Sequence, residues 1–379
     1  MNHDPWNAIA DLAANPGGGS GPLSGVRVGV KSNIAVAGLP HTGGMAHLRD
    51  NIAPRDAAVV AQLRAAGASI IGSLNMHEAA LGATTDNAFY GRTHNPHRMG
   101  HTPGGSSGGS GAAVAAGLVD LALGTDTLGS VRLPAAYCGV YGLKPTHGAV
   151  NEDRLLYLDP AIDCIGPLAR DLDIIARAWD VIGNGGGAGV FSRVLLLDGL
   201  AGVSCEPAVL AGYEAAALAL ALPTTSFSLP EKPTAIRIAA LAGSVRYLIG
   251  ALGPHRAEAS ADLRFILDAL EPVPANPGLL ASVKAMLVSA LGDDGVLLMP
   301  TAPQTAFAHG TRAPANQADF TGLANIAGLP AIALPSGWSD DGLPVSVQLV
   351  GPAGTESRLI ALARQLDAAL NQYRPPTAE

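Results

Sequence analysis

Two serine-bearing segments carry the chemistry in this chain of 379 residues. They are Gly104-Gly105-Ser106-Ser107-Gly108-Gly109-Ser110 and Gly124-Thr125-Asp126-Thr127-Leu128-Gly129-Ser130-Val131-Arg132-Leu133-Pro134. A serine hydroxyl is a weak nucleophile at neutral pH and needs a base to take its proton as it attacks. A flexible Gly/Ser linker would not be followed at once by a well-formed apolar helix and strand. A phosphate-binding loop needs Gly-Lys-Ser/Thr after its glycines, and none is present. Gly105-Ser106-Ser107-Gly108-Gly109 matches G-x-S-x-G formally, but that elbow requires a strand directly before it, and residues 97–103, closed by Pro103, make a poor one. His255 and His309 would have to serve as its base, and neither sits in a recognisable context. His94, His97 and His101 have a superficially metal-like spacing, but Pro96 and Pro103 break any helix that would align them, so no metal is expected.

Together with Cys138-Gly139-Val140-Tyr141-Gly142-Leu143-Lys144-Pro145-Thr146, these segments resemble the amidase signature family of serine amidohydrolases. The resemblance extends upstream to Gly29-Val30-Lys31-Ser32-Asn33, Ala37-Gly38-Leu39-Pro40, Asn75-Met76-His77-Glu78 and Asn95-Pro96. Downstream it takes in Gly166-Pro167-Leu168-Ala169-Arg170, Met299-Pro300-Thr301-Ala302-Pro303 and Asn325-Ile326-Ala327-Gly328-Leu329-Pro330. It runs over nearly the whole chain except about 185–295, which is expected to be a variable, substrate-side segment.

The resemblance implies a Ser–Ser–Lys triad. Ser130 looks like the nucleophile, Ser106 like the bridging serine 24 positions before it, and Lys31 like the lysine at the end of an early strand. It also implies a cis peptide bond between Gly105 and Ser106. Lys31 can accept a proton only when neutral, which burial achieves by lowering its pKa. Ser106 can shuttle that proton because a hydroxyl both donates and accepts. The backbone N–H groups of Thr127, Leu128, Gly129 and Ser130 are the implied oxyanion hole. Gly104, Gly105, Leu128 and Arg132 are the candidate substrate contacts, with Arg132 expected as a structural ion pair or backbone anchor ahead of a clamp on a substrate carboxylate. Ser107 and Ser110 are expected to satisfy backbone groups, Asp126 to brace its loop, and Cys138 and Tyr141 to be core.

Two positions depart from the family pattern. Leu128 stands where the family usually has glycine, and is expected to line the acyl pocket. Ser32 stands where it usually has aspartate, so Lys31 loses a neighbouring carboxylate and its neutral form gains. The implied function is hydrolysis of a carboxylic amide or related C–N bond of a small substrate through a Ser130 acyl-enzyme, without cofactor. The alternatives are an amidotransferase-type subunit that delivers ammonia to a partner, and a non-catalytic scaffold. A homodimer or a small accessory subunit is a further expectation.

These residues must be positioned by surrounding elements. Apolar spacing predicts strands over 26–30, 69–71, 121–124, 139–143, 194–197, 296–299, 331–334 and 345–350. It predicts helices over 6–13, 56–66, 76–81, 112–118, 208–222, 258–270 and 356–370. Residues 85–109 read as one long loop, 184–189 as a linker, and 223–233 and 272–277 as loop-rich. The alternation favours one α/β domain over 1–379, with a central mixed sheet flanked by helices on both faces and residues 1–24 as a short extension.

Composition narrows the function class. Hydrophobic residues make up 48% of the chain, enough for a large core, and charged residues only 14%. A net charge of −8 argues against a polyanion-binding surface, so nucleic acid is not expected as a partner. Gly 47 and Pro 28 together form about a fifth of the chain and predict many backbone-lined turns. Aromatics are scarce at 4%, which with the short variable segment leans toward a small or polar amide. The three widely spaced cysteines, the absence of a signal-like N-terminus and the lack of an apolar stretch of ~20 residues predict a cytoplasmic protein without a membrane span.

Overall fold

Val296, Leu297, Leu298 and Met299 are all fully buried, and successive side chains of a strand face opposite ways. Val296 and Leu298 join one apolar cluster while Leu297 and Met299 join another, so this strand lies in a sheet covered on both faces. The computed structural model describes residues 4–377 except 186 and 188. Its strands are β1 (Ile9–Leu12), β2 (Arg27–Lys31), β3 (Ser69–Leu74), β4 (Asp86–Asn87), β5 (Gly91–Arg92), β6 (Leu121–Asp126) and β7 (Tyr141–Lys144). They continue with β8 (Cys164–Ala169), β9 (Arg193–Leu197), β10 (Thr224–Phe227), β11 (Gly295–Pro300), β12 (Ala331–Trp338) and β13 (Pro344–Val350). The helices are α1 (Ala58–Ala65), α2 (Gly108–Ala115), α3 (Arg132–Tyr137), α4 (Leu172–Ile182), α5 (Pro207–Ala219), α6 (Pro233–Leu252), α7 (Ala261–Leu270), α8 (Pro277–Leu291), α9 (Gly322–Ala327) and α10 (Glu356–Leu370).

Eleven strands form one mixed sheet in the order β1-β3-β2-β6-β8-β7-β12-β13-β11-β9-β10, and β4 and β5 make a small separate hairpin. At one side β2 runs parallel to β3 and β6, and at the other β11, β9 and β10 are parallel. The strands between them pair antiparallel. Helices α1, α4 and α10 pack over one face through Val60, Leu63, Ile175, Trp179, Leu359 and Leu366. On the opposite face, α2 and α3 contribute Ala112, Ala113 and Ala135 to one cluster, while α6, α8 and α9 contribute Ile236, Leu287 and Leu323 to another. The architecture is the expected α/β one, with a mixed central sheet and helices on both faces.

Several local expectations are corrected. The segment 6–13 is no helix: the Asp4 carboxylate accepts the Ala8 and Ile9 N–H groups at 2.8 Å, and β1 then pairs antiparallel with β3. Residues 76–81 form only a short 3-10 turn at Glu78–Ala80. The expected strand at 139–143 begins at Tyr141, because α3 and its closing turn occupy the residues before it. The expected linker at 184–189, of which 186 and 188 lie outside the described residues, leads into β9, which belongs to the same sheet. The loop-rich stretch 223–233 holds β10 and the start of α6, and the prolines that signal loops there and at 277 occupy the first turns of α6 and α8. In a first turn a missing N–H costs nothing. The expectation that no apolar run reaches ~20 residues also fails, since the helical run Pro233–Glu258 is long and apolar enough by length and composition to span a bilayer. Half of its most apolar window is buried inside the fold.

Candidate active site

Two parallel strand ends converge on the site. Lys31 is the last residue of β2, and Thr125 and Asp126 end β6, its parallel neighbour. The carboxyl ends of parallel strands are where open α/β sheets place their ligands. Lys31 is completely buried, and its Nζ donates to Ser106 Oγ and to Thr125 Oγ1, each at 2.7 Å. Burial pushes its pKa down from the usual 10.5 to about 7, against the opposing pull of the Asp163 and Asp126 carboxylates.

Ser106 is held from both sides. The Gly105–Ser106 peptide bond is cis, as the resemblance implies. The Ser106 carbonyl accepts the His77 N–H at 3.0 Å, and the Ser107 N–H donates to the Ser130 carbonyl at 3.3 Å, which links the two serine segments. Ser107 Oγ donates to the Thr125 carbonyl (3.2 Å) and Ser110 Oγ to the Leu123 carbonyl (3.1 Å), so both hydroxyls serve the backbone of β6. The glycines between them are required by close approach. A Cβ on Gly109, in the first turn of α2, would stand 2.3 Å from the Asn75 carbonyl oxygen and 2.7 Å from that of Ala8. Gly104, with φ +84°, and Gly105 are both buried, the first against Pro134 and the second against the Ala83–Thr84 backbone.

Ser130 is 9% exposed and lies on the turn between β6 and α3. The N–H groups of Thr127, Leu128 and Ser130 have no intramolecular acceptor among the described residues. Gly129 is different: its N–H donates to Asp126 Oδ1 at 2.7 Å, so it is not a free oxyanion donor. Leu128 is buried in the apolar cluster with Phe320, Leu323 and Ile326, opposite Gly322, and its carbonyl accepts Thr321 Oγ1 at 2.6 Å.

Arg132 is not placed to touch a substrate. It is fully buried, with Nε on Asp126 Oδ2 (3.0 Å), Nη2 on Asp126 Oδ1 (2.9 Å) and Asn325 Oδ1 (2.6 Å), and Nη1 on Gln348 Oε1 (2.7 Å). This is the buried, hydrogen-bonded ion pair such a charge requires. Burial alone would raise the Asp126 carboxyl, but the Arg132 charge and hydrogen bonds, with Lys144 and Asn325 beside them, together hold it down at about 2. The histidines weighed as bases or ligands go elsewhere. His97 Nε2 meets the Cys138 carbonyl, His309 Nε2 the Thr93 carbonyl, His255 Nδ1 the Glu258 carboxylate, and His94 packs edge-on against His309. His101 lies beside Ala308 in an isolated bridge. Cys138 and Tyr141 are both in the core.

Two site residues escape sequence reasoning. Thr125 is the second partner of Lys31 and also accepts Asn33 Nδ2 at 3.2 Å. Asp163, buried just before β8, accepts Thr127 Oγ1 at 2.5 Å and the Leu158 and Asp159 N–H groups at 2.8 and 3.1 Å. The signal is faint: Thr125 adjoins a recognised motif, and Asp163 stands three residues before Gly166-Pro167.

Comparison with known proteins places the fold in a family. The family model described as Amidase matches residues 6–184 and 283–360. A glutamyl-tRNA(Gln) amidotransferase subunit from Symbiobacterium thermophilum is 33% identical over an alignment covering 95% of this chain and 86% of that protein. The solved glutamyl-tRNA(Gln) amidotransferase subunit from Thermotoga maritima superposes with a TM-score of 0.85 at 28% identity, covering 99% of this chain and 91% of its own. A chain from a vestigial complex tied to the origins of an s-triazine catabolic enzyme superposes with a TM-score of 0.87 at 29% identity, over 98% of this chain and 93% of its own. The chain belongs to the amidase family.

Proposed function

We propose that this chain is a serine amidohydrolase releasing ammonia or an amine from a small amide, with Ser130 as nucleophile, Ser106 as proton relay and Lys31 as base. The observation that carries the reading is a fully buried lysine, its pKa near 7, held 2.7 Å from the Ser106 hydroxyl. A neutral amine keeps one lone pair. With Thr125 Oγ1 taking one Nζ hydrogen, that lone pair can face Ser106. As Ser130 Oγ attacks the substrate carbonyl, its proton passes to Ser106 and the Ser106 proton to Lys31. The N–H groups of Thr127, Leu128 and Ser130 receive the developing oxyanion. Collapse of the tetrahedral adduct breaks the C–N bond as the proton returns through Ser106 to the leaving nitrogen. Water then cleaves the acyl-enzyme by the same relay. Leu128, packed beside α9, forms one apolar wall of the acyl site in this reading. The free cysteines Cys138, Cys164 and Cys205 suit a reducing compartment such as the cytoplasm.

A second reading, ammonia delivery to a partner protein, is favoured by the glutamyl-tRNA(Gln) amidotransferase relatives at 32–35% identity over 92–95% of the chain. One experiment separates the two. A panel of small primary amides, ureido acids and aryl amides is assayed for ammonia, with and without candidate partner chains, alongside Ser130→Ala. The hydrolase reading expects ammonia from the chain alone, with turnover and fluorophosphonate labelling both abolished in the folded variant. Ammonia that appears only with a partner selects the second reading. Labelling that survives in Ser130→Ala removes Ser130 as nucleophile.

A further inference from the structure

The buried carboxylate of Asp163 lies where both halves of the proposed machinery meet. On one side it takes the Thr127 hydroxyl hydrogen at 2.5 Å, fixing the first residue of the turn whose amides face the oxyanion. On the other it is an acidic neighbour of Lys31, with Asp126 the second. Asp126 is already committed to Arg132 and the Gly129 N–H. Among the described residues Asp163 engages no cation in a salt bridge, being held by one hydroxyl and two backbone N–H groups. Its own segment is fastened by the Asp163 N–H to the Asp159 carbonyl at 2.9 Å. Ser32, next to Lys31, carries no charge, so the balancing carboxylate comes from across the sheet.

We propose that Asp163 is a positioning residue of this site, holding the Thr127 amide in place through Thr127 Oγ1 and placing a buried carboxylate near the Lys31 end of β2. The inference rests on the amidohydrolase reading above. The charged and titratable groups around Asp163 are Lys31 at the end of β2, Asp126 at the end of β6, Lys144 in β7, Cys164 beside it, and Asp159, Glu152 and Tyr157 in the loop before β8. Burial raises the Asp163 carboxyl to about 6, so it is mostly ionised at neutral pH, where its charge favours the ammonium form of Lys31. Removing that charge must therefore lower the lysine pKa and extend the active range toward acid.

The test is the rate of fluorophosphonate inactivation of the full chain as a function of pH, with thermal unfolding as the check on folding. Asp163→Asn is expected to move the acid limb to lower pH by roughly one unit and to reduce the plateau rate about tenfold. Thr127→Val keeps the charge and loses the hydroxyl, so the plateau falls by a similar factor while the acid limb stays in place. Thr127→Ser restores the plateau. An unmoved acid limb in folded Asp163→Asn, or an undiminished plateau in Thr127→Val, overturns the proposal. If Asp163→Asn does not fold, the Thr127 pair decides alone: loss with valine and recovery with serine supports it, and any other pattern overturns it. Ser130→Ala separates this failure from that of the parent reading, since labelling that persists there condemns the nucleophile assignment and not the role of Asp163.

Discussion

The sheet half that carries Lys31, Thr125 and Asp126 and the region 185–282 are held together in different ways. In the first, buried polar groups are cross-bonded: Lys31 to Ser106 and Thr125, Asp126 to Arg132, and Asn325 Nδ2 to the Asp126 carbonyl at 2.8 Å. In the second, α6 and α7 are seated mainly by apolar side chains such as Ile236, Val245, Leu248, Leu263 and Leu267. Its polar tethers sit at the margins: Thr234 and Arg237 on Asp319, Ser244 on Asp159, and the Ser260 N–H on Glu78. The family model leaves 185–282 unmatched. Apolar contact asks for volume, whereas a buried hydrogen-bonded network asks for specific atoms. A region packed mainly by volume tolerates more exchange of its side chains than a buried network does.

That contrast can be broken by substitution. The largest effect is expected at Lys31→Met, which should slow acylation by on the order of 10²- to 10⁴-fold, measured by fluorophosphonate inactivation. The same change should raise stability at pH 7 by about 1–3 kcal/mol. The sign follows from the proton balance. The buried amine, with pKa near 7 against 10.5 unfolded, binds fewer protons folded than unfolded, so it costs stability fully below pH 7 and less as pH rises toward 10.5. Urea unfolding of the parent should therefore show a gain across that window that Lys31→Met lacks. Asp126→Asn leaves the Arg132 charge buried without its partner and should cost about 3–5 kcal/mol in the same measurement. In the other region Leu248→Ala should cost about 2–4 kcal/mol from its cavity, with the inactivation rate unchanged. Leu218→Gln, at a site 83% exposed, should stay within about 0.5 kcal/mol. Equal activity losses at Leu248 and Lys31 would erase the distinction between the two regions.

The same contrast explains what the sequence discloses. Lys31, Ser106 and Ser130 are picked out by the resemblance to the amidase signature family, and the glycines around them mark close backbone approach. Asp163 and the pairing of Thr125 with Lys31 are not, because those contacts join residues 36 and 94 positions apart and depend on strand order. Gly129 is an oxyanion candidate by resemblance alone, yet Asp126, three residues earlier and expected to brace the loop, takes its N–H. Pro233 and Pro277 suggest loops, yet each opens a helix, a choice decided by the apolar face that follows. Residues 9–12 are too few to show a period, and pairing with β3 settles their form.

Gly109 has a consequence beyond its own turn. With no side chain there, α2 rests directly on the carbonyls of Ala8 and Asn75, and Ser106 sits just upstream of that contact. The Ser106 hydroxyl is thus placed from main-chain landmarks rather than from the aliphatic side chains around them. Aliphatic substitutions among those side chains that leave α2 seated on the two carbonyls are expected to leave the hydroxyl where it is.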